Sequence, residues 1–146
     1  MRALDLWLKV LSLFRPSRFT GFDPSLSVSE VIPDPDDLVP DELSIVTPDE
    51  FDLAFEEYGL LGPRMTIPIE KRWPAVIPDV DWSKYPALKA KCDEIRWTVV
   101  RWDSYVQSGR IPENGDVVSR MVAIRYPFLT PRHQVSVRNY ASFANR

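Results

Sequence analysis

Pro86-Ala-Leu-Lys-Ala-Lys-Cys-Asp-Glu-Ile-Arg-Trp-Thr-Val-Val-Arg-Trp-Asp-Ser-Tyr-Val-Gln107 is the stretch on which the fold turns. Within it Leu88, Cys92, Ile95, Val99, Trp102 and Val106 recur at spacings of 4, 3, 4, 3 and 4. That rhythm returns to one side of an α-helix at every step, so the segment reads as one long helix with a continuous apolar seam. Gly109 closes it. Downstream, Asn114-Gly115-Asp116 opens a second helix carrying Val117, Val118, Met121, Val122 and Ile124 to Tyr126, where Pro127 ends it. A short connection between two such helices predicts an antiparallel hairpin over about 86–126. Thr130-Pro131 starts a last element with Val137, Tyr140, Ala141 and Ala144 inward if it is helical. The run His133-Gln-Val-Ser-Val-Arg-Asn-Tyr140 also alternates as a strand would, so 131–144 stays open between helix and strand.

Upstream of the long helix the chain is punctuated by proline. Thr47-Pro48-Asp49-Glu50 combines a capping hydroxyl, a proline suited to the first helical position and a Glu that completes a capping box. The helix it opens runs to about Tyr58, with Phe51, Leu53, Ala54, Phe55 and Tyr58 apolar and Gly59 available to end it. Met65-Thr-Ile-Pro-Ile69 and Trp73-Pro-Ala-Val-Ile-Pro78 are expected to be extended, as edge strands or polyproline segments packed over the helices. Residues 17–46 are expected to form an acidic, proline-rich linker, extended or disordered. Its Ile32-Pro-Asp-Pro-Asp-Asp-Leu-Val-Pro-Asp-Glu-Leu43 core holds three prolines and five acids. Such a segment can also lie across a basic surface, and the C-terminal half of this chain offers one.

Residues 1–16 form a separate apolar piece. Arg2, Asp5, Lys9 and Ser12 make a narrow polar stripe, and the rest of a helix over 3–15 is apolar until Pro16 stops it. Such a helix needs cover on most sides, from its own domain, from a partner or from a membrane surface. Leu4, Trp7, Leu8, Leu11 and Phe14 are the candidate partner-binding residues. A nearly neutral polar face favours a protein partner or self-association over a membrane. The stretch is too short to span a bilayer, which takes roughly 20 apolar residues, and it lacks the pattern of a secretion signal. These features are those expected of an intracellular protein, cytoplasmic or virion-associated.

The architecture expected is therefore a mainly α fold with a helical domain over 47–146. With 146 residues, 45% hydrophobic and 12% aromatic, the chain can bury a core without disulfides or metals. Its single cysteine, Cys92, excludes an intramolecular disulfide and a cysteine cluster for zinc.

Charge is divided unevenly. Residues 1–81 hold 16 Asp/Glu against 7 Lys/Arg, and residues 95–146 hold 8 Arg, no Lys and 3 acids. Arginine makes planar paired contacts to phosphate or carboxylate and stacks on rings. Aromatic residues are interleaved with these arginines, a mixture suited to single-stranded RNA or DNA. The candidate nucleic-acid-binding residues are Arg96, Trp97, Arg101, Arg120, Arg125, Arg132 and Arg138. The competing account pairs the arginines with the acidic first half, and an overall pI near 5.2 weighs on that side.

Catalytic chemistry has little to stand on. The only histidine is His133, and nothing local brings Cys92 or a serine beside it as nucleophilic catalysis requires. Acid neighbours such as Asp36/Asp37, Asp41/Glu42 and Glu56/Glu57 point apart and read as solvated. No phosphate-binding glycine loop or calcium loop is present, so no catalytic residue, cofactor, metal or small-molecule substrate is expected. The expectation is a non-enzymatic binding or structural protein, of a style that fits a viral accessory or virion-associated protein. It would act by protein association through its N-terminal helix, with single-stranded nucleic-acid binding as the alternative.

Overall fold

The computed structural model describes residues 31–59 and 63–146, and it divides the chain into two units, Met1–Pro33 and Asp34–Arg146. Residues 1–16, including the five candidate partner-binding positions, and 17–30 lie outside the described residues. The second unit is mainly helical. Among the described residues it holds five α-helices and no strand: α1 (Pro48–Tyr58), α2 (Ile69–Val76), α3 (Tyr85–Gln107), α4 (Val117–Arg125) and α5 (Pro131–Ala144).

The local signals at helix starts act as their chemistry requires. Thr47 Oγ1 accepts from the Glu50 amide at 3.2 Å while Glu50 Oε2 accepts from the Thr47 amide at 2.8 Å, so α1 begins in a full capping box. Asp116 caps α4 by accepting from the Ser119 amide at 3.1 Å. Thr130 caps α5, and Pro131 follows at its first turn. That cap resolves the open choice for 131–144 in favour of a helix.

The seam of α3 is buried from Leu88 through Cys92, Ile95 and Val99 to Trp102. Past Gln107 the chain turns through Gly109, whose φ of 76° is left-handed, and Gly115 at 61° does the same before α4. Helix α5 packs along α3 more extensively than α4 does, and it also touches α4 and α1. The unit thus centres on α3 and α5, with α1 and α4 against α5 and α2 against α1.

The segments expected to be extended between 60 and 82 are a correction. Pro63–Thr66 forms a 3-10 turn, and Ile69–Val76 is an α-helix with Pro74 inside it. An internal proline removes a backbone donor and costs a helix about 3 kcal/mol, so local propensity does not make α2. Tertiary anchors do. Trp73 is 1% exposed, and its indole N–H donates to the Ala54 carbonyl of α1 at 2.8 Å. One residue earlier, Arg72 donates to the Glu57 carbonyl of α1 at 2.5 Å and to the Ile67 carbonyl at 2.9 Å.

The acidic stretch ahead of α1 is also engaged. Asp34 caps a short 3-10 turn at Pro35–Asp37 that packs against α4. The Asp41 amide donates to the Arg125 carbonyl at 2.7 Å, and Arg125 Nη1 donates back to the Val39 carbonyl at 2.8 Å. The Asp41 carboxylate meets Lys91 Nζ of α3 at 2.7 Å.

Candidate functional site

Most of the arginines singled out in the sequence hold a partner within the chain. Arg96 leaves α3 where α1 and α5 meet it, and its guanidinium sits 4.3 Å from the Tyr58 ring and 4.1 Å from the Tyr140 ring. A cation between two ring faces is held by both quadrupoles and is worth more there than in water. Tyr58 donates its hydroxyl to Asp93 at 2.5 Å, and Lys89 Nζ holds the other oxygen of that carboxylate at 2.9 Å. Burial pushes the Tyr58 and Tyr140 hydroxyls above their ordinary titration range, so both rings stay neutral beside the cation.

Arg138 on α5 bridges two acids. Its Nη1 donates to Asp103 at 2.7 Å and its Nε to Asp116 at 3.0 Å. Asp103 is only 3% exposed, and Gln107 and Asn145 also donate to it, at 2.8 Å and 3.0 Å. A buried carboxylate with this many donors is satisfied and structural. Burial raises the Asp116 pKa, but hydrogen bonds from Ser119 and Arg138 outweigh it and hold the carboxyl below its usual value.

Arg120 donates to the Asn114 carbonyl at 2.9 Å, and Arg125 clamps Val39. Arg132 pairs with Glu56. Trp97 is half-buried and Arg101 exposed, one turn apart on α3, and both make further contacts. The structure therefore spreads the predicted arginine set over several separate intrachain contacts, some of them at the surface.

Sequence reasoning missed the densest polar cluster, built where α5 crosses α1. His133 is 3% exposed, with Nε2 2.7 Å from Glu56 Oε2 and Nδ1 2.7 Å from Asp52 Oδ1. The Nε2 contact is a hydrogen bond. The Nδ1 contact is a close approach outside hydrogen-bond geometry. Thr130 Oγ1 ties the cluster to the start of α5 by donating to Asp52 Oδ1 at 2.9 Å, and the Phe55 and imidazole rings pack in a T-shaped arrangement with centres 5.3 Å apart. The available signal was Asp52 and Glu56, four residues apart on one helix face. It was obscured by reading Glu56 with its neighbour Glu57. Glu57 is not a solvated acid: it is 5% exposed, with its carboxylate 3.7 Å from Arg72.

The Glu56 carboxylate occupies one ring nitrogen through a hydrogen bond and Asp52 lies against the other, so neither faces open solvent. The two carboxylates meet opposite ring nitrogens, so they do not converge on one ion, and no group of three metal-ligating side chains occurs among the described residues. Cys92 lies buried on the α3 seam, and burial pushes its thiol far above the range in which a thiolate forms.

The cluster also sets a pH dependence. The His133 hydrogen bond, with Arg132 behind it, holds the Glu56 carboxyl below its ordinary value. A lowered folded-state pKa contributes stability above the unfolded value, about 4.3, and that contribution disappears as pH falls through the folded value. We expect His133→Ala to lose about 1–2 kcal/mol at pH 7, since both acids are partly solvated and relax into water. The variant should also lose less stability than the parent between pH 5 and pH 3, in urea titrations at each pH. A parallel acid limb in the two proteins would show that Glu56 does not feel His133.

No helix among the described residues is long and apolar enough to cross a membrane. Comparison of the chain with family models, curated proteins and solved structures found no match.

Proposed function

We propose that this chain is a non-enzymatic binding protein in which the helical unit serves as a rigid scaffold and the apolar N-terminal segment makes the contact with a protein partner or with a second copy. In this reading α3 and α4 form the antiparallel hairpin of about 86–126 that frames the scaffold, with proline-rich segments packed over it. The observation that carries the reading is the placement of the two side chains best suited to catalysis. His133 is buried between Asp52 and Glu56, and Cys92 is sealed in the α3 seam. A single buried thiol also fits a reducing, intracellular setting.

The arginines favour protein association over the nucleic-acid alternative. Arg96, Arg120, Arg125, Arg132 and Arg138 each hold a partner within the chain, so phosphate would compete with contacts already made, least so at Arg132, whose side chain is 71% exposed. Deleting residues 1–16 tests the proposal. Light scattering after size exclusion should report a monomer with helicity retained, and absorbance at 260 and 280 nm should show no bound nucleic acid in either protein. An unchanged assembly size after deletion would overturn the association role, and co-purifying nucleic acid would favour the arginine surface.

A further inference from the structure

The connection from α3 to α4 ends in Asn114-Gly115-Asp116, whose chemistry reaches beyond opening a helix. An asparagine side-chain carbonyl carbon lies within five-membered-ring reach of the next residue's backbone nitrogen. Ordinarily the next side chain shields that nitrogen. Gly115 has none, and nothing lies within 4 Å of the place where one would begin. Asn114 and Gly115 are both exposed and precede the first turn of α4, so water reaches the pair. Gly115 sits at a φ of 61°, which glycine adopts without strain.

What sets this peptide apart is Arg120. From the first turn of α4, its Nη2 donates to the Asn114 carbonyl at 2.9 Å. That carbonyl and the Gly115 nitrogen belong to one amide. When the nitrogen loses its proton, the negative charge is shared with the oxygen, and the oxygen faces a guanidinium. A hydrogen bond between charged partners is stronger than one to a neutral carbonyl, so Arg120 favours the deprotonated amide. Neighbouring acids oppose it weakly. Asp116 is taken by Arg138 Nε at 3.0 Å and by the Ser119 amide and hydroxyl. Glu113 is exposed, so solvent and salt screen its charge. Arg120 is exposed as well, but it acts in direct contact.

We propose that Asn114–Gly115 is a self-modifying site, promoted by Arg120, that converts with time to aspartate and isoaspartate. The deprotonated Gly115 nitrogen attacks Asn114 Cγ, and the bond from Cγ to the side-chain nitrogen breaks. That nitrogen leaves as ammonia, taking back through solvent the proton that Gly115 gave up. The product is a cyclic imide. Water then opens it, with no change of oxidation state. Addition at Cγ breaks the new bond and gives aspartate; addition at the main-chain carbonyl carbon breaks the original peptide bond and gives isoaspartate. In the second product the free carboxylate is made from the carbonyl that Arg120 already holds. Either product places one negative charge ahead of α4, where the helix dipole favours it. This inference does not rest on the proposed association role.

The test uses the full chain, incubated at neutral and mildly alkaline pH and then digested briefly with pepsin in acid. Mass spectrometry follows conversion at each asparagine, and electron-transfer fragmentation separates aspartate from isoaspartate. Two internal comparisons are built in: Asn139, exposed on α5 and followed by Tyr140, and Asn145, which donates to Val100 and Asp103. Asn114 should convert about tenfold or more faster than either, giving both isomers and speeding up with pH. Arg120→Gln should slow it about three- to tenfold with helicity unchanged, and Arg120→Lys, which keeps a cation, should fall between. In urea, where α4 no longer positions residue 120, parent and Arg120→Gln should convert alike. Equal rates in the folded parent and Arg120→Gln would overturn the proposal. So would a difference that persists in urea, aspartate without isoaspartate, or conversion at Asn114 no faster than at Asn139.

Discussion

Arg138→Met is expected to destabilise the helical unit by about 3–5 kcal/mol, because it strands the Asp103 carboxylate in the interior. Asp103 accepts from Gln107 and Asn145 as well, but Arg138 is the cation paired with it at 2.7 Å. The same guanidinium also braces Asp116, the residue that caps α4, so the loss reaches the start of that helix. In a unit of this size the change corresponds to a drop in melting temperature of roughly 10 °C or more. Adding Asp103→Asn keeps the acceptor oxygen and removes the charge, so the double variant should recover a large part of the loss in thermal melts. A double variant no more stable than Arg138→Met would show that packing of the arginine stem carries the effect.

Trp73→Ala should cost a comparable amount, about 3–5 kcal/mol, since it empties a fully buried indole site. Trp73 packs on Tyr85 with ring centres 5.9 Å apart and bonds the Ala54 carbonyl, so one side chain links α2 to both α1 and the start of α3. Helix α2 has eight residues with Pro74 inside and no side-chain cap at its start. It has no means of persisting alone. The expected signature is therefore local: amide protection collapses across 69–76 while α3 and α5 retain theirs at the same temperature. Trp73→Phe keeps the ring and loses the N–H donor, and should retain the helix at a cost of about 1–2 kcal/mol. Uniform loss of protection in Trp73→Ala would mean that α2 is part of the global cooperative unit.

These two sites mark where the sequence was readable and where it was not. The α3 seam was legible because each residue that enters the core lies three or four positions from the next. The starts of α1, α4 and α5 were legible because a cap is a contact over two or three residues. Helix α2 was not, since its stability comes from Arg72 and Trp73 reaching carbonyls 15 and 19 residues earlier, and its local signal, two prolines six residues apart, argues against it. The polar cluster failed for the same reason. Asp52 and Glu56 share a helix face, but the ring between them arrives from position 133. Counting arginines identified the charge and not its neighbours: the rings that sandwich Arg96 belong to α1 and α5, and no spacing within α3 announces them.

Cys92 has a practical consequence for anyone handling this protein. It is the one thiol in the chain, and it lies on the buried seam of α3, the longest helix among the described residues, with no exposed surface. A small alkylating reagent added to native protein has nothing to modify until α3 separates from its neighbours. The pace at which label accumulates is then a clock for that separation, readable by mass alone and already present in the wild-type molecule.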